Sequence, residues 1–335
     1  NGMLSSTSEA HRLAHSLSRL LLLLAALTLQ QPTEASAQAT DWPTRTVTMV
    51  TGYAAGGNSD VLARLLTNRM AEQLKQPFVI EARVGGGGAV AMRSVGQASP
   101  DGYTLFFAAA PQIGVVPQIQ KLGFEPLELL TPISVFATGP FLLTVNASTP
   151  VNTVPEFAKW AKGRSLSYGS GGAGSNAHLT AAVFLKRAGL EGTNVPFRGS
   201  GAAMTALIAG QIDFVFGNAS DVVPFVDGGK LKVVGVAAEQ RMKQLPDVPT
   251  IGETYPNLAM PSWNGVMAPA KTPRPIVDKI ADQVIAATKD PDIIDKLSKL
   301  GLEPNGTSPE AFAAQIKREQ PQFDDGNKAA GLVQQ

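Results

Sequence analysis

The chain has no cysteine, which excludes disulfides, thiolate nucleophiles, iron–sulfur clusters and Cys-ligated zinc. It has little charge, 16% Asp, Glu, Lys and Arg, with 28 basic residues against 27 acidic ones. No excess of one sign is available to hold nucleic acid or an anionic membrane surface, so neither is expected as a partner. Histidine occurs three times, as His11, His15 and His178. No hydrophobic run reaches the roughly 20 residues of a membrane span. The longest, residues 20–29, follows Arg12 and Arg19 and precedes the small-residue stretch Ala35-Ser36-Ala37-Gln38-Ala39.

That order of basic, apolar and small residues is a secretory leader, with cleavage expected after Ala37 or Ala39. Loss of residues 1–39 would leave His178 as the single histidine, so a multi-histidine metal site is excluded and any Ser-His-Asp triad must use that residue. No metal and no cofactor is expected.

What is present is glycine, proline and apolar residues. The 335 residues are 44% hydrophobic, with 33 Gly and 24 Pro. At roughly 150 residues per domain this length suggests two domains, and the composition suggests many short elements joined by tight turns. From Thr46 onward, short β-rich runs alternate with helix-like runs, as in βα units on a mainly parallel sheet. Residues 46–50 read as a strand, 52–58 as a glycine turn and 59–75 as a helix. Strands follow at 78–80 and 103–107. The apolar stretch 133–145, broken by Gly139-Pro140, is the candidate crossover into a second domain. There the strands read 165–168, 194–197, 212–216 and 231–236, with a helix over 176–188. Residues 263–268 read as a return strand, and 275–300 as one or two terminal helices.

Three strand-to-helix turns share one chemistry: Ala54-Ala55-Gly56-Gly57-Asn58-Ser59, Gly85-Gly86-Gly87-Gly88-Ala89 and Ser170-Gly171-Gly172-Ala173-Gly174-Ser175-Asn176. Unobstructed backbone N–H groups at a helix start can approach a carboxylate or phosphate, and the helix dipole favours an anion there. None of the three fits G-x-x-x-x-G-K-[ST], and the first lacks G-x-G-x-x-G spacing, which argues against nucleotide binding.

The signal-like leader, Trp42-Pro43, Gly52-Tyr53-Ala54-Ala55-Gly56-Gly57-Asn58-Ser59-Asp60 with Ala63-Arg64, Gly85-Gly86-Gly87-Gly88, Pro100-Asp101-Gly102-Tyr103-Thr104-Leu105, Val195-Pro196-Phe197-Arg198-Gly199, Gly210-Gln211-Ile212-Asp213, Pro246-Asp247-Val248-Pro249-Thr250 and Trp263-Asn264-Gly265 occur in this order. Together they resemble the Bug family, the periplasmic solute receptors of tripartite tricarboxylate transporters. The resemblance implies an α/β type II periplasmic-binding-protein fold, in which two α/β lobes enclose a ligand cleft and two crossing strands form the hinge. The expected organisation is a leader over 1–39, one lobe from 40–145 plus 262–335, and a second from 146–261. It further implies a non-enzymatic, monomeric periplasmic receptor that passes a small mono-, di- or tricarboxylate to a two-component membrane permease. Two motifs depart from the family pattern: Gly52 stands where proline is usual, and Ala89 stands where asparagine is usual.

The expected ligand-binding residues are Tyr53, Gly57, Asn58, Ser59, Asp60, Gly87 and Gly88 from the first lobe. From the second they are Ser170, Gly171, Gly172, Ser175, Asn176, Arg198, Gly199 and Ser200. Asp60 either caps its helix or meets an amine on the ligand. Ser170, Ser175 and Asn176 either donate to the ligand or cap the following helix. Arg198 is the one cation beside a glycine turn, and Tyr53 and Trp263 either stack on a ligand or pack as core. The alternative from another class is an exported serine hydrolase using Ser170 and His178, against which stands the lack of a G-x-S-x-G elbow.

Overall fold

Val47, Thr48, Met49, Val50 and Thr51 form a largely buried run of β-formers, and in the computed structural model they make the strand β1, Val47–Thr51. The structure describes residues 41–197, 199–256, 258 and 260–332; the expected leader lies outside them. The chain divides into units at Trp42/Pro43, and everything below belongs to the unit from Pro43 onward.

After β1 come α1 (Asn58–Leu74), β2 (Phe78–Ala82), α2 (Ala89–Gly96), β3 (Thr104–Ala109), three short helices α3 (Ala110–Gly114), α4 (Val116–Ile119) and α5 (Pro126–Leu129), and β4 (Leu130–Thr138). The chain then crosses at Gly139-Pro140 into β5 (Phe141–Asn146), α6 (Val154–Ala161), β6 (Leu166–Ser170), α7 (Asn176–Ala188), β7 (Gly192–Pro196), α8 (Ser200–Ile208), β8 (Phe214–Asn218), α9 (Ala219–Asp227) and β9 (Leu231–Ala237). It returns through β10 (Trp263–Pro269), α10 (Arg274–Thr288), α11 (Pro291–Lys299), β11 (Glu303–Pro304) and α12 (Pro309–Ala329).

Two sheets result, in the orders β11-β4-β10-β3-β1-β2 and β7-β6-β8-β5-β9. In the first, β1 is parallel to β2 and β3, and β10 runs antiparallel between β3 and β4. In the second, β6 is parallel to β7 and β8, and β5 runs antiparallel between β8 and β9. Each sheet thus carries three parallel strands whose carboxyl ends feed helices, the geometry in which open α/β sheets bind ligands. This is a two-lobe α/β fold. Sheet membership changes at Gly139-Pro140, so β5 already lies in the second sheet, slightly ahead of the expected boundary at residue 145.

The second lobe is filled by rings: Phe214 lies edge-on to Phe157 at 5.3 Å between centroids, and Phe184 edge-on to Phe216 at 5.5 Å. Phe106 and Val135 of the first sheet share one continuous apolar core with Phe214 and Phe216 of the second. The C-terminal helix, which periodicity over 275–300 does not foresee, explains that continuity. Ser308 Oγ caps it by accepting the Ala311 N–H, and Pro occupies its first turn. Its buried Phe312 meets Trp263 at 4.8 Å and 89°, and a β-carbon on Gly265 would lie 2.9 Å from the Phe312 ring. Further along, Gly326 lets the helix close on Leu179 of α7 and on Met260. The last helix therefore binds the return strand of one lobe and a helix of the other.

Phe312→Ala should accordingly cost about 3–5 kcal/mol, the range for removing a fully buried phenyl ring. Urea unfolding of wild type and variant measures this; a loss below about 1 kcal/mol would mean that α12 does not carry the packing described.

Candidate functional site

The glycine turns sit where the parallel strands end. Behind β1, Gly57 precedes α1 with φ −85° and ψ 173°, and no side chain caps that helix. Behind β7, Gly199, with φ 102°, precedes α8, which also lacks a side-chain cap. Such starts leave backbone donors for something else to satisfy. α7 and α9 differ: Ser175 Oγ accepts the His178 N–H at 3.4 Å, and Asn218 Oδ1 accepts the Ser220 N–H at 3.3 Å.

In the first lobe, Asp60 accepts the Gly56 N–H at 3.0 Å and the Arg64 Nε–H at 3.0 Å. Burial pushes the Asp60 carboxyl up, but these two partners together hold it below the usual carboxylate range. Its geometry is that of a turn-fixing group. Ser59 Oγ accepts from Asn264 Nδ2 at 3.0 Å, which ties the α1 start to β10. Burial drives the Tyr53 phenol up to about 12, so it stays protonated at neutral pH. The turn carrying Gly87 and Gly88 has positive φ from Gly85 through Gly88, and it lies against the Gly52 backbone, whose added β-carbon would fall 2.9 Å from Gly88 Cα. Both neighbours press on Gln112, at the start of α3: a β-carbon at Gly52 or Gly88 would come within 2.3 Å of Gln112 Nε2. Proline at position 52 would meet that amide, so this departure from the family pattern has a steric counterpart.

In the second lobe, Ser170 Oγ donates to Gly172 O at 3.2 Å and Ser175 Oγ to the same oxygen at 2.8 Å. Both hydroxyls thus serve their own turn. Asn176 Nδ2 donates to Pro261 O at 2.8 Å, while its Oδ1 is buried without a partner. Gly171 packs beside Gly199 and Ser200, its β-carbon position 3.6 Å from Ser200 N. Ser200 hydrogen-bonds Asp221, whose carboxyl burial pushes up and this bond partly restores. Arg198 lies outside the described residues.

The lobes meet at the turns. Ser220 Oγ, at the start of α9, shares its one proton between Asn218 Oδ1 at 3.0 Å and Asn58 Oδ1, at the start of α1, at 3.1 Å. The structure therefore joins the turn at 53–59 to the second lobe through Ser220, and groups the turns at 171–172 and 199–200 side by side. Gln112, Ser220, Asp221 and Asn264 belong to this neighbourhood and are not among the residues expected from sequence. Asn264 stood in the quoted Trp263-Asn264-Gly265 motif; the other three carry no local signal. Trp263 packs as core, its Nε1–H donating to Glu319 at 2.8 Å. Two cavities, of about 310 and 360 Å3, lie elsewhere, one lined by Asn146, Trp160 and Asp213, the other by Ile113, Pro126 and Ile316.

The hydrolase alternative needs His178 to take a proton from Ser170. Its Nδ1 instead accepts the Gly174 N–H at 3.2 Å, and no hydrogen bond joins the two side chains. Burial lowers the His178 pKa, so the folded protein binds this proton less readily than the unfolded chain. Stability then rises with pH below the ordinary histidine value of about 6.5 and is lost as pH falls through that value. His178→Asn keeps an acceptor for Gly174 and removes the titration. Its urea-unfolding free energy should fall less between pH 7 and pH 5 than that of wild type; parallel pH profiles would contradict the buried neutral assignment.

Residues 62–324 match the model of the tripartite tricarboxylate transporter family receptor. Rpa4515 of R. palustris, solved with adipate, is 33% identical, with a TM-score of 0.81 over 87% of this chain and 99% of that one. MatC of Rhodopseudomonas palustris, solved with bound malate, is 33% identical, with a TM-score of 0.77 over 85% and 99%. The periplasmic binding protein BugD is 30% identical, with a TM-score of 0.78 over 88% and 100%.

Proposed function

The chain belongs to the tripartite tricarboxylate transporter receptor family, the Bug receptors, and on that premise we propose that it is a periplasmic receptor for a small carboxylate, which it delivers to a two-component membrane permease. Residues 1–39 are the leader that exports it, and the mature receptor works as a monomer without chemical change to its ligand. One end of the ligand lies against the α1 start and the turn at Gly87 and Gly88; the other lies against the turns at 170–176 and 198–200, with Arg198 available to a second carboxylate.

The observation that carries this reading is the hydrogen bond between Asn58 and Ser220, which brings an uncapped helix start of one lobe to a helix start of the other. The uncapped start of α8 beside Gly171 supports it, as do the carboxylates bound by two relatives. Strong positive charge is unnecessary: hydrogen bonds to a charged group contribute about 1.5–3 kcal/mol each. Four to six of them, less the ordering cost, suffice for the roughly −8 kcal/mol of a micromolar complex.

A thermal-shift and calorimetric screen of the protein against adipate, malate, succinate, citrate and benzoate tests the reading. A binder at 100 times its Kd should stabilise the fold by about 2.7 kcal/mol, several degrees in Tm, and should be recovered unaltered. Recovery of a modified compound, or no shift with any carboxylate, would sink the proposal. Gly57→Val separates site from fold: the backbone there suits any residue and its β-carbon position meets nothing nearer than Ala54 O at 3.8 Å. The variant should fold at a cost of about 1 kcal/mol and lose the ligand shift. A full shift in the folded variant would move the site away from α1.

A further inference from the structure

The Gln112 side chain is completely buried in the first turn of α3. Its Oε1 accepts the Ala109 N–H at 2.9 Å, which fixes the amide's orientation, because turning it over would set NH2 against N–H. Nε2 is then directed to the side where Gly52 and Gly88 approach, and it is buried with no hydrogen-bond partner. An unsatisfied buried amide is destabilising, and native structures keep few such groups. Here two glycines also give up side chains to make room for it.

We propose that Gln112 is a ligand-binding residue of the first lobe: Gly52 and Gly88 are in contact over its Nε2, and the turn at Gly85–Gly88 parts from Gly52 so that a ligand carboxylate oxygen accepts from that donor. The proposal rests on the carboxylate-receptor reading and adds a residue and a polarity to it. With Oε1 already occupied, the group facing the ligand is a donor only. It suits a carboxylate or carbonyl oxygen and opposes an ammonium, so a ligand carrying both presents its carboxylate to this lobe. The run of positive-φ glycines from Gly85 to Gly88 supplies a backbone that can adjust as the oxygen enters.

The test uses Gln112→Glu with whichever of adipate or malate binds wild type. Glutamate keeps the shape and the acceptor for Ala109 but puts an oxygen where the donor stood. Affinity by calorimetry should fall about 10- to 100-fold or more, and Gln112→Met, which merely removes the donor, should fall about 10-fold. A folded Gln112→Glu protein that binds within about threefold of wild type overturns the assignment. Should the variants not fold, 15N-glutamine-labelled wild type decides: the Gln112 side-chain amide resonance should move and exchange more slowly on saturation with the ligand. An unmoved resonance would leave a brace or a buried water and refute the proposal. If wild type binds no carboxylate in the screen, the receptor reading fails first and this assignment falls with it, a result distinct from equal binding by wild type and variant.

Discussion

Backbone N–H groups can hold an anion in a chain with almost no net charge, but they reach it only where no side chain stands in front. Glycines precede α1 and α8, and neither helix has a side-chain cap, which is the arrangement the proposed site requires. A serine or aspartate in place of either glycine would stabilise the helix by only a few tenths of a kcal/mol and would occupy the donors. Asp60 and Ser175 mark the limits of the arrangement. The first fixes its turn from within the helix by taking the Gly56 N–H; the second caps α7 outright.

The same economy shapes the connection between the lobes. The chain crosses between the sheets at Gly139-Pro140 and again through the segment ahead of β10, and α12 then packs on both sides of the crossing. Apolar contacts of Phe312 and Gly326 hold that region. At the turns, the lobes touch instead through a polar bond between Ser220 and Asn58. Such a bond contributes only about 1 kcal/mol net, little enough for a ligand carboxylate to replace it. The crossing is thus held by apolar packing, and the turns are joined by a polar contact.

Much of this was legible in the sequence because it rests on local rules. The βα alternation, the Gly139-Pro140 break, the α7 range and the glycine turns follow from periodicity and turn chemistry. The α12 helix escapes because its apolar positions, Phe312, Ile316 and Phe323, are sparse in a polar segment containing Pro321; what stabilises it is tertiary. Its Ser308-Pro309 start was the available signal. Gln112 escapes for a different reason. Its significance depends on contacts with Gly52 and Gly88, residues far away in the chain, and nothing in Ala110-Pro111-Gln112 announces them. Ser220 and Asn58, 162 positions apart, are invisible to sequence spacing for the same reason.

Hydrogen exchange followed by mass spectrometry, with and without a saturating carboxylate, tests most directly whether backbone donors at these turns hold the ligand. The account predicts slower exchange in peptides covering residues 52–60, 85–92 and 199–203, with the cavity lined by Asn146, Trp160 and Asp213 unchanged. Protection confined to that cavity, or none at the turns under saturating ligand, would contradict it.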